Sequence, residues 1–335
     1  MIVPRDPHER TMKQATAIAH PNIALVKYWG KSDVEQNLPA VGSLSITLDG
    51  LTTTTRVRFD ESLTADRFLF AGGEAPGMAG RVTACLGDFR HRVGATAYAE
   101  VESDNNFPTA AGLASSASGF AALVVAADAA LGAGLHPGEL AEIARRASGS
   151  AARSIFGGFV ELSLVDGGLG IETRQILEPA AWPLAVVVAV TDSGPKAVGS
   201  TDGMLLTERT SPYYPAWVAS SPADLAEAHS AVERRDFEAL AAVSESSCLK
   251  MHSVMLSARP ALVYWNGTTV DCIHLLRGLR AVGVPVFFTI DAGPQVKAIC
   301  LPEALERVGR ELAGVPGVER VLVSGLGGGA RPVAG

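Results

Sequence analysis

The chain of 335 residues is 47% hydrophobic and 19% charged, with a formal net charge of −7 from 28 basic and 35 acidic side chains. That balance supports one large or two ordinary domains with substantial cores, and it excludes a general nucleic-acid binder, which is usually basic. The longest apolar runs, 184–190 and 120–127, are too short to span a bilayer.

Residues 1–14 are polar and mixed in charge, with no signal-peptide core, and read as a disordered leader. A cytoplasmic protein is expected, with neither membrane nor nucleic acid as partner. Cys85, Cys248, Cys272 and Cys300 stand far apart with no CxxC pair, so buried free thiols are expected rather than disulfides or a metal site. The largely apolar run 15–27 predicts a first strand. Residues 43–49 alternate apolar and small polar side chains, and 52–59 are rich in β-branched ones, which predicts a hairpin turning at Asp49-Gly50. A strand over 97–103 leads to Asn105-Asn106-Phe107-Pro108, which resists helix because proline pushes the preceding residue toward extended backbone. The alanine-rich helix beyond it is expected to start between Gly112 and Ser116.

Pro137 and Glu139 at one end, with Arg145 and Arg146 at the other, predict a helix over 137–147. Residues 157–165 and 184–190 read as strands, and Trp182-Pro183 marks the approach to a domain boundary. A polar loop over 191–200 leads to helices over 222–233, 236–254 and 266–282. The last third reads as strand 284–290, helices 294–299 and 302–312, and strand 319–324, an α+β pattern of a small sheet covered by helices. Gly325-Leu326-Gly327-Gly328-Gly329-Ala330 reads as a flexible end rather than a dinucleotide-binding turn. Two domains are expected, 15–190 and 191–335, without internal repeats.

Pro108-Thr109-Ala110-Ala111-Gly112-Leu113-Ala114-Ser115-Ser116-Ala117-Ser118-Gly119 carries the most information. Its small residues lead straight into a helix, whose first N–H groups and positive dipole end favour an anion. The pattern suits a phosphate cradle, and it also suits a helix packed tightly through small residues. Lys27 and Lys31, with Tyr28 between them, offer several donors to a phosphorylated substrate, or form a solvated surface loop. Ser148, Ser150 and Arg153 could grip a carboxylate, or close a helix at a glycine turn. Asp291 ends an apolar strand before Gly293-Pro294, where it could orient a hydroxyl proton or cap a helix beginning at Pro294. The run Asp192 to Met204, with Lys196 and Ser200, suits a loop over a substrate or a plain linker. No HExxH, GxSxG or Walker P-loop is present, so neither a zinc protease, an α/β-hydrolase nor a P-loop ATPase is indicated.

Together these segments resemble the GHMP kinase superfamily and, within it, the diphosphomevalonate decarboxylases. The superfamily's phosphate loop, Pro-x-x-x-Gly-Leu-x-Ser-Ser-Ala, is met by residues 108–117, and Ala114 before the two serines is similar to the decarboxylase branch. Residues 22–31, 105–118, 148–158, 200–204 and 291–294 fit that branch in order. The resemblance implies a two-domain α+β GHMP kinase fold, with a domain like ribosomal protein S5 domain 2 followed by a ferredoxin-like one. It implies ATP-dependent decarboxylation of mevalonate 5-diphosphate to isopentenyl diphosphate, with Mg²⁺ carried on ATP, by a cytoplasmic homodimer. It further implies that Asp291, Lys27, Arg153 and Ser200 carry the reaction, and that Asn22, Tyr28, Lys31, Ser148, Ser150, Arg153, Lys196 and Met204 hold the substrate. Pro108, Ala110, Gly112, Leu113, Ala114, Ser115, Ser116 and Ser118 are implied for ATP. A phosphomevalonate decarboxylase, a mevalonate 3-kinase-like enzyme and a silent ligand sensor are the neighbouring alternatives.

Overall fold

The computed structural model describes residues 13–107, 115–168, 170–194 and 196–333. The phosphate-loop positions Pro108, Ala110, Gly112, Leu113 and Ala114 lie outside the described residues, as do residues 1–12. Strand β1 (Lys13–Ala19) takes up the last two residues read as leader. The expected single strand over 15–27 is two strands. The ladder breaks at His20-Pro21, where proline has no N–H to donate, and β2 (Asn22–Val26) departs for a different sheet. A small hairpin follows, β3 (Lys31–Asp33) with β4 (Leu38–Pro39).

Strands β5 (Ser43–Thr47) and β6 (Thr53–Asp60) do not form the expected hairpin. They lie in different sheets, because Leu48 and Leu51 are both buried and draw the connection through the core. Gly50 also lacks the positive φ that a two-residue hairpin turn at Asp49-Gly50 requires. Next come β7 (Arg67–Phe70), β8 (Gly73–Glu74), α1 (Pro76–Val93) and β9 (Tyr98–Asn105). Helix α2 (Ser115–Leu131) is buried along most of its length by alanine, valine and Phe120. Helix α3 (Pro137–Ala147) has the predicted bounds, fixed by a capping box between His136 and Glu139. Short α4 (Ala151–Ser154) and strands β10 (Phe159–Val165) and β11 (Gly170–Leu177) complete this half.

The second half holds β12 (Ala185–Val190), α5 (Ser200–Thr210), α6 (Tyr214–Arg234), α7 (Phe237–Leu256) and α8 (Gly267–Ala281). It ends with β13 (Val286–Ile290), β14 (Val296–Cys300), α9 (Leu305–Ala313), β15 (Arg320–Ser324) and β16 (Arg331–Val333). Residues 294–299 therefore form a turn and a strand, not the expected helix: Val296 to Cys300 are buried on both faces of a sheet. Helices α1 and α5 carried no strong signal in the sequence.

Three sheets organise the molecule: β16-β1-β6-β9-β7-β8, β11-β10-β5-β2 and β13-β14-β12-β15. The third is antiparallel, follows a β-α-β-β-α-β chain order and is covered by α8 and α9, which is the ferredoxin-like arrangement. The whole is a two-domain α+β fold. The boundary expected after residue 190 is corrected, because β12 is an inner strand of the third sheet while β16 returns to pair with β1. Nor is the glycine run a flexible end. Gly327 N–H donates to Thr47 O at 2.8 Å, Gly158 N–H donates to Gly327 O at 2.9 Å, and Ala330 N–H donates to Ile155 O at 3.1 Å.

Helix α7 joins the two domains by closing two sheet edges at once. Its Ser247 Oγ accepts the N–H of Lys27, just past the outer strand β2, at 3.0 Å. Its Glu245 and Cys248 accept the N–H groups of Phe288 and Ile290 on the outer strand β13, at 3.3 and 3.2 Å. Edge groups that would otherwise lie unpaired in the interior are thereby satisfied. Strands β2 and β13 meet at the domain junction, where Thr289 Oγ1 donates to Ala24 O at 3.2 Å.

Candidate active site

Asp291 stands one residue beyond β13, so it shares a face with Thr289, two residues earlier, and with Lys297, which pairs with Thr289 from β14. That face meets β2. Ala24 O accepts both Thr289 Oγ1 at 3.2 Å and Lys27 Nζ at 2.9 Å. Lys27 Nζ also donates to Asp291 Oδ1 at 2.6 Å, while Lys297 Nζ lies 3.2 Å from Oδ2. Both lysine side chains are 1% exposed and the aspartate is 31% exposed, so the carboxylate fronts the cleft with the two ammonium groups behind it. Burial alone would push the Asp291 carboxyl up, but Lys27 and Lys297 hold it well below the usual carboxylate range.

Arg153, on α4, is buried against β2 and β5. Its Nε and one Nη donate to Asn22 Oδ1 at 3.3 and 3.2 Å, and the other Nη donates to Ser43 Oγ at 2.6 Å. Three of its five N–H groups are thus taken, which leaves two for a bidentate anion in the cleft. Burial lowers its pKa to about 10, so it remains a cation at neutral pH. Tyr28 packs its ring tip against Gly149, and burial raises its hydroxyl to about 12, keeping it a neutral donor. Lys31 is buried in β3, and burial together with nearby Arg81 loosens its proton.

Lys196 reaches in from the loop after β12, donating to Ser200 Oγ at 3.0 Å and Ala292 O at 3.2 Å. Burial lowers its pKa, with Asp291 opposing and Lys297 adding to the fall. Ser200 opens α5, and on the same helix Met204 packs with Trp29 and Met251 in an apolar wall. Trp29 is fixed in that wall by donating to Thr207 Oγ1 at 2.9 Å and accepting from Trp217 Nε1 at its carbonyl, also at 2.9 Å.

Asn22, Lys27, Tyr28, Lys31, Arg153, Lys196, Ser200, Met204 and Asp291 line one cleft of about 1290 Å³, while Lys297 stands behind Asp291, off its lining. Ser115 and Ser116 at the start of α2 reach it too, and Ser116 Oγ shares a 3.2 Å hydrogen bond with Ser148 Oγ, linking the helix start to the Ser148–Arg153 segment. An overall acidic chain therefore gathers six cations, Lys27, Lys31, Arg81, Arg146, Arg153 and Lys196, in a cleft lined by three carboxylates, Glu35, Asp192 and Asp291, the setting for a polyanionic substrate.

A family model described as the diphosphomevalonate decarboxylase-like N-terminal domain matches residues 19–168, and one described as the mevalonate 5-diphosphate decarboxylase C-terminal domain matches 186–315. The diphosphomevalonate decarboxylase of Homo sapiens is 36% identical over 319 residues, 89% of this chain and 79% of the relative. The chain belongs to the diphosphomevalonate decarboxylase family. Solved decarboxylase structures agree over nearly the whole chain. That of Staphylococcus aureus mevalonate diphosphate decarboxylase has a TM-score of 0.91 at 36% identity, covering 97% of this chain and 99% of that one. A complex described as MDDEF with MVAPP, AMPPCP and magnesium has a TM-score of 0.89 at 38% identity, covering 97% and 100%.

Within this decarboxylase-family cleft, the structure brings together Asn22, Lys27, Tyr28, Lys31, Ser115, Ser116, Ser148, Ser150, Arg153, Lys196, Ser200, Met204 and Asp291. Ser118 is the exception. It is fully buried, sharing a 2.6 Å hydrogen bond with Thr53 Oγ1 and donating to Ser115 O at 3.3 Å, so it packs the helix against β6 instead of lining the cleft. Asp291 caps no helix, because β14 follows it. Sequence reasoning missed Lys297 and Arg81. A lysine inside the buried strand Val296–Cys300 was the available signal for the first. Arg81 sits on the unpredicted α1, donates to Ala147 O at 2.7 Å and lies over the Phe120 ring.

Proposed function

We propose that this chain converts mevalonate 5-diphosphate and ATP into isopentenyl diphosphate, ADP, phosphate and carbon dioxide. The observation that carries the reading is the Asp291 carboxylate, bonded by Lys27 at the floor of a cationic cleft whose family is that of the diphosphomevalonate decarboxylases. Arg153, with Ser148 and Ser150, holds the substrate carboxylate. Tyr28 and Lys31, joined by Arg81, face the diphosphate. Ser115 and Ser116 take the ATP phosphates at the start of α2.

Among the described residues no cluster of three or more His, Cys, Asp or Glu is arranged for a metal, and the serine oxygens beside the ATP phosphates suit a hard cation arriving with the nucleotide. Ser115 and Ser116 would stand beside a magnesium ion carried on the nucleotide, which would supply neutralisation of phosphate charge during transfer. A tertiary alcohol leaves poorly, so its oxygen first takes the terminal phosphoryl group of ATP. Phosphoryl transfer passes through a loose transition state that asks for positioning more than for a strong base. A carboxylate held ionised by two ammonium groups suits that role: Asp291 accepts the 3-hydroxyl hydrogen bond and aims the oxygen at phosphorus. As the bond from phosphorus to ADP breaks, the hydroxyl proton passes late to the Asp291 carboxylate and on to solvent. The C3–O bond then breaks toward the departing phosphate, which Lys27 and Lys196 neutralise, with Ser200 closing over it. Positive character at C3 draws in the electron pair of the bond to the carboxylate carbon. That pair becomes the double bond, and carbon dioxide leaves.

We further place the enzyme in the cytoplasm as a homodimer. Its free, buried cysteines fit a reducing compartment, and sedimentation of the purified protein tests the dimer. No helix among the described residues is long and apolar enough to cross a membrane. The activity is tested by offering purified protein ATP and Mg²⁺ with mevalonate, its 5-phosphate or its 5-diphosphate, and scoring ADP and carbon dioxide separately. Equal yields of both from the diphosphate are expected; ADP without carbon dioxide would mean a kinase and overturn the reading.

A further inference from the structure

Each oxygen of Asp291 faces a different buried lysine, and the two lysines come from different domains. Lys27 meets Oδ1 from the N-terminal domain, just past β2, while Lys297 meets Oδ2 from β14 in the same sheet as the aspartate. Lys297 is the more rigidly placed. It sits within a paired strand, opposite Thr289 on one side and Val188 on the other, whereas Lys27 lies beyond the end of its strand at the domain junction. A single ammonium at Oδ1 leaves the carboxylate free to swing about its χ2 bond, a broad torsion for aspartate. A second one at Oδ2 fixes the carboxylate plane.

We propose that Lys297 is a positioning residue for the reaction: it pins Oδ2 of Asp291, setting both the plane and the charge of the carboxylate that meets the substrate hydroxyl. This rests on the reading of Asp291 given above. The other charged or titratable groups facing Asp291 are Lys27, Lys196 on its loop, Arg153 on α4, and Cys248 and His252 on α7. Burial lowers His252 to about 3 and raises the Cys248 thiol, so both stay neutral through the mildly acidic range. The wild-type carboxylate, held well below the usual range, titrates below that window, so an acid limb that a variant brings up into it comes from neither His252 nor Cys248.

The test is steady-state kinetics across pH for Lys297→Met and Lys297→Arg, with Asp291→Asn measured alongside and thermal melting confirming that each is folded. Lys297→Met is expected to lose about 100-fold in kcat, the scale of a small misplacement of a catalytic group, with KM little changed. Its acid limb should move to higher pH, because a carboxylate deprived of one of two cations takes up a proton more readily. Lys297→Arg should recover part of kcat and return the limb toward lower pH. A lysine that merely fills space would lower the melting temperature without moving the limb. A folded Lys297→Met with unchanged kcat and an unmoved limb overturns the inference, provided Asp291→Asn is inactive. Should Asp291→Asn itself turn over normally, the role of Asp291 fails first. If Lys297→Met does not fold, Lys297→Gln, which keeps a donor but no charge, carries the same two readouts.

Discussion

Asn22 and Arg153 form a fixed pair: the amide oxygen accepts from two guanidinium nitrogens at 3.3 and 3.2 Å, while the amide nitrogen donates to Ser154 Oγ at 2.8 Å and Ser150 O at 3.0 Å. Asn22 thus ties β2 to α4 and decides which two N–H groups of Arg153 are left for the substrate. Asn22→Ala removes two hydrogen bonds to a buried cation, each worth about 1.5–3 kcal/mol when the partner is charged. We expect kcat/KM to fall about 10- to 100-fold, at about 1.4 kcal/mol per tenfold, chiefly through KM. Steady-state kinetics check this; an unchanged KM would detach Asn22 from substrate binding.

Asp291→Asn keeps the shape of the side chain but leaves Lys27 and Lys297 facing a neutral amide. Turnover should fall by about 10²–10⁴, the range for losing a positioned proton acceptor. Binding of mevalonate 5-diphosphate should stay close to wild type, because the groups proposed for its two anionic ends are Arg153 and the Tyr28–Lys31 segment. Calorimetric titration with the diphosphate, alongside turnover, separates the two effects. A parallel loss of affinity would mean that Asp291 shapes the pocket more than the chemistry.

Lys196 predicts the alkaline side of the pH profile. Its folded pKa lies below the ordinary lysine value because of burial. As pH rises it therefore loses its proton earlier than a free lysine would, and kcat/KM should decline with it. Lys196→Arg keeps a cation at every accessible pH, so the alkaline limb should move upward even if the maximal rate drops. A limb that stays put in Lys196→Arg would assign the deprotonation to Lys31, whose proton burial also loosens.

How much of this could be read from sequence depends on whether the informative residues sit together. Residues 22–31 and 148–153 are short runs in which Asn22, Lys27, Tyr28, Lys31 and Arg153 stand close along the chain, so their chemistry was visible before any fold. Lys297 and Arg81 acquire meaning only through pairing: one needs the β13–β14 register, and the other needs α1 packed beside α2. The same limit explains the misread elements. Alternation in 43–49 and β-branching in 52–59 report strands correctly, but nothing local says that the two strands enter different sheets. At 294–299 the Asp-Ala-Gly-Pro start suggested a helix, and the pairing of Val296–Cys300 with both β12 and β13 overrides it.

Ser247 is a test of helix α7 as the joint between the domains. Its hydroxyl is fully buried and accepts the Lys27 N–H. In Ser247→Ala that donor has no acceptor, a loss of about 1–3 kcal/mol, and the backbone carrying Lys27 is less fixed. The melting temperature should drop and kcat should fall with it. Ser244→Ala, one turn earlier, removes a buried hydroxyl that has no hydrogen-bond partner and should be neutral or stabilising. Equal destabilisation by both would show that the α7 surface matters only through packing.

Gly157 examines the glycine run that the sequence suggested was loose. A Cβ on Gly157 would stand 2.6 Å from the backbone of Gly328 and Gly329, closer than any real contact. The obstacle is main chain, not the tip of a movable side chain, and that main chain is held by Gly327 N–H to Thr47 O and Ala330 N–H to Ile155 O. Gly157→Ala must therefore push the 325–330 segment off β5 and α4, breaking the stitch that returns the chain from the C-terminal domain to the N-terminal one. Overpacking of this kind costs about 1–3 kcal/mol, readable as a lower midpoint in denaturant titration. Gly328→Ala, where a Cβ would meet nothing within 4 Å, is the matched control and should melt like the wild type. If both variants unfold at the wild-type midpoint, the segment is not packed in solution as it is in the structure.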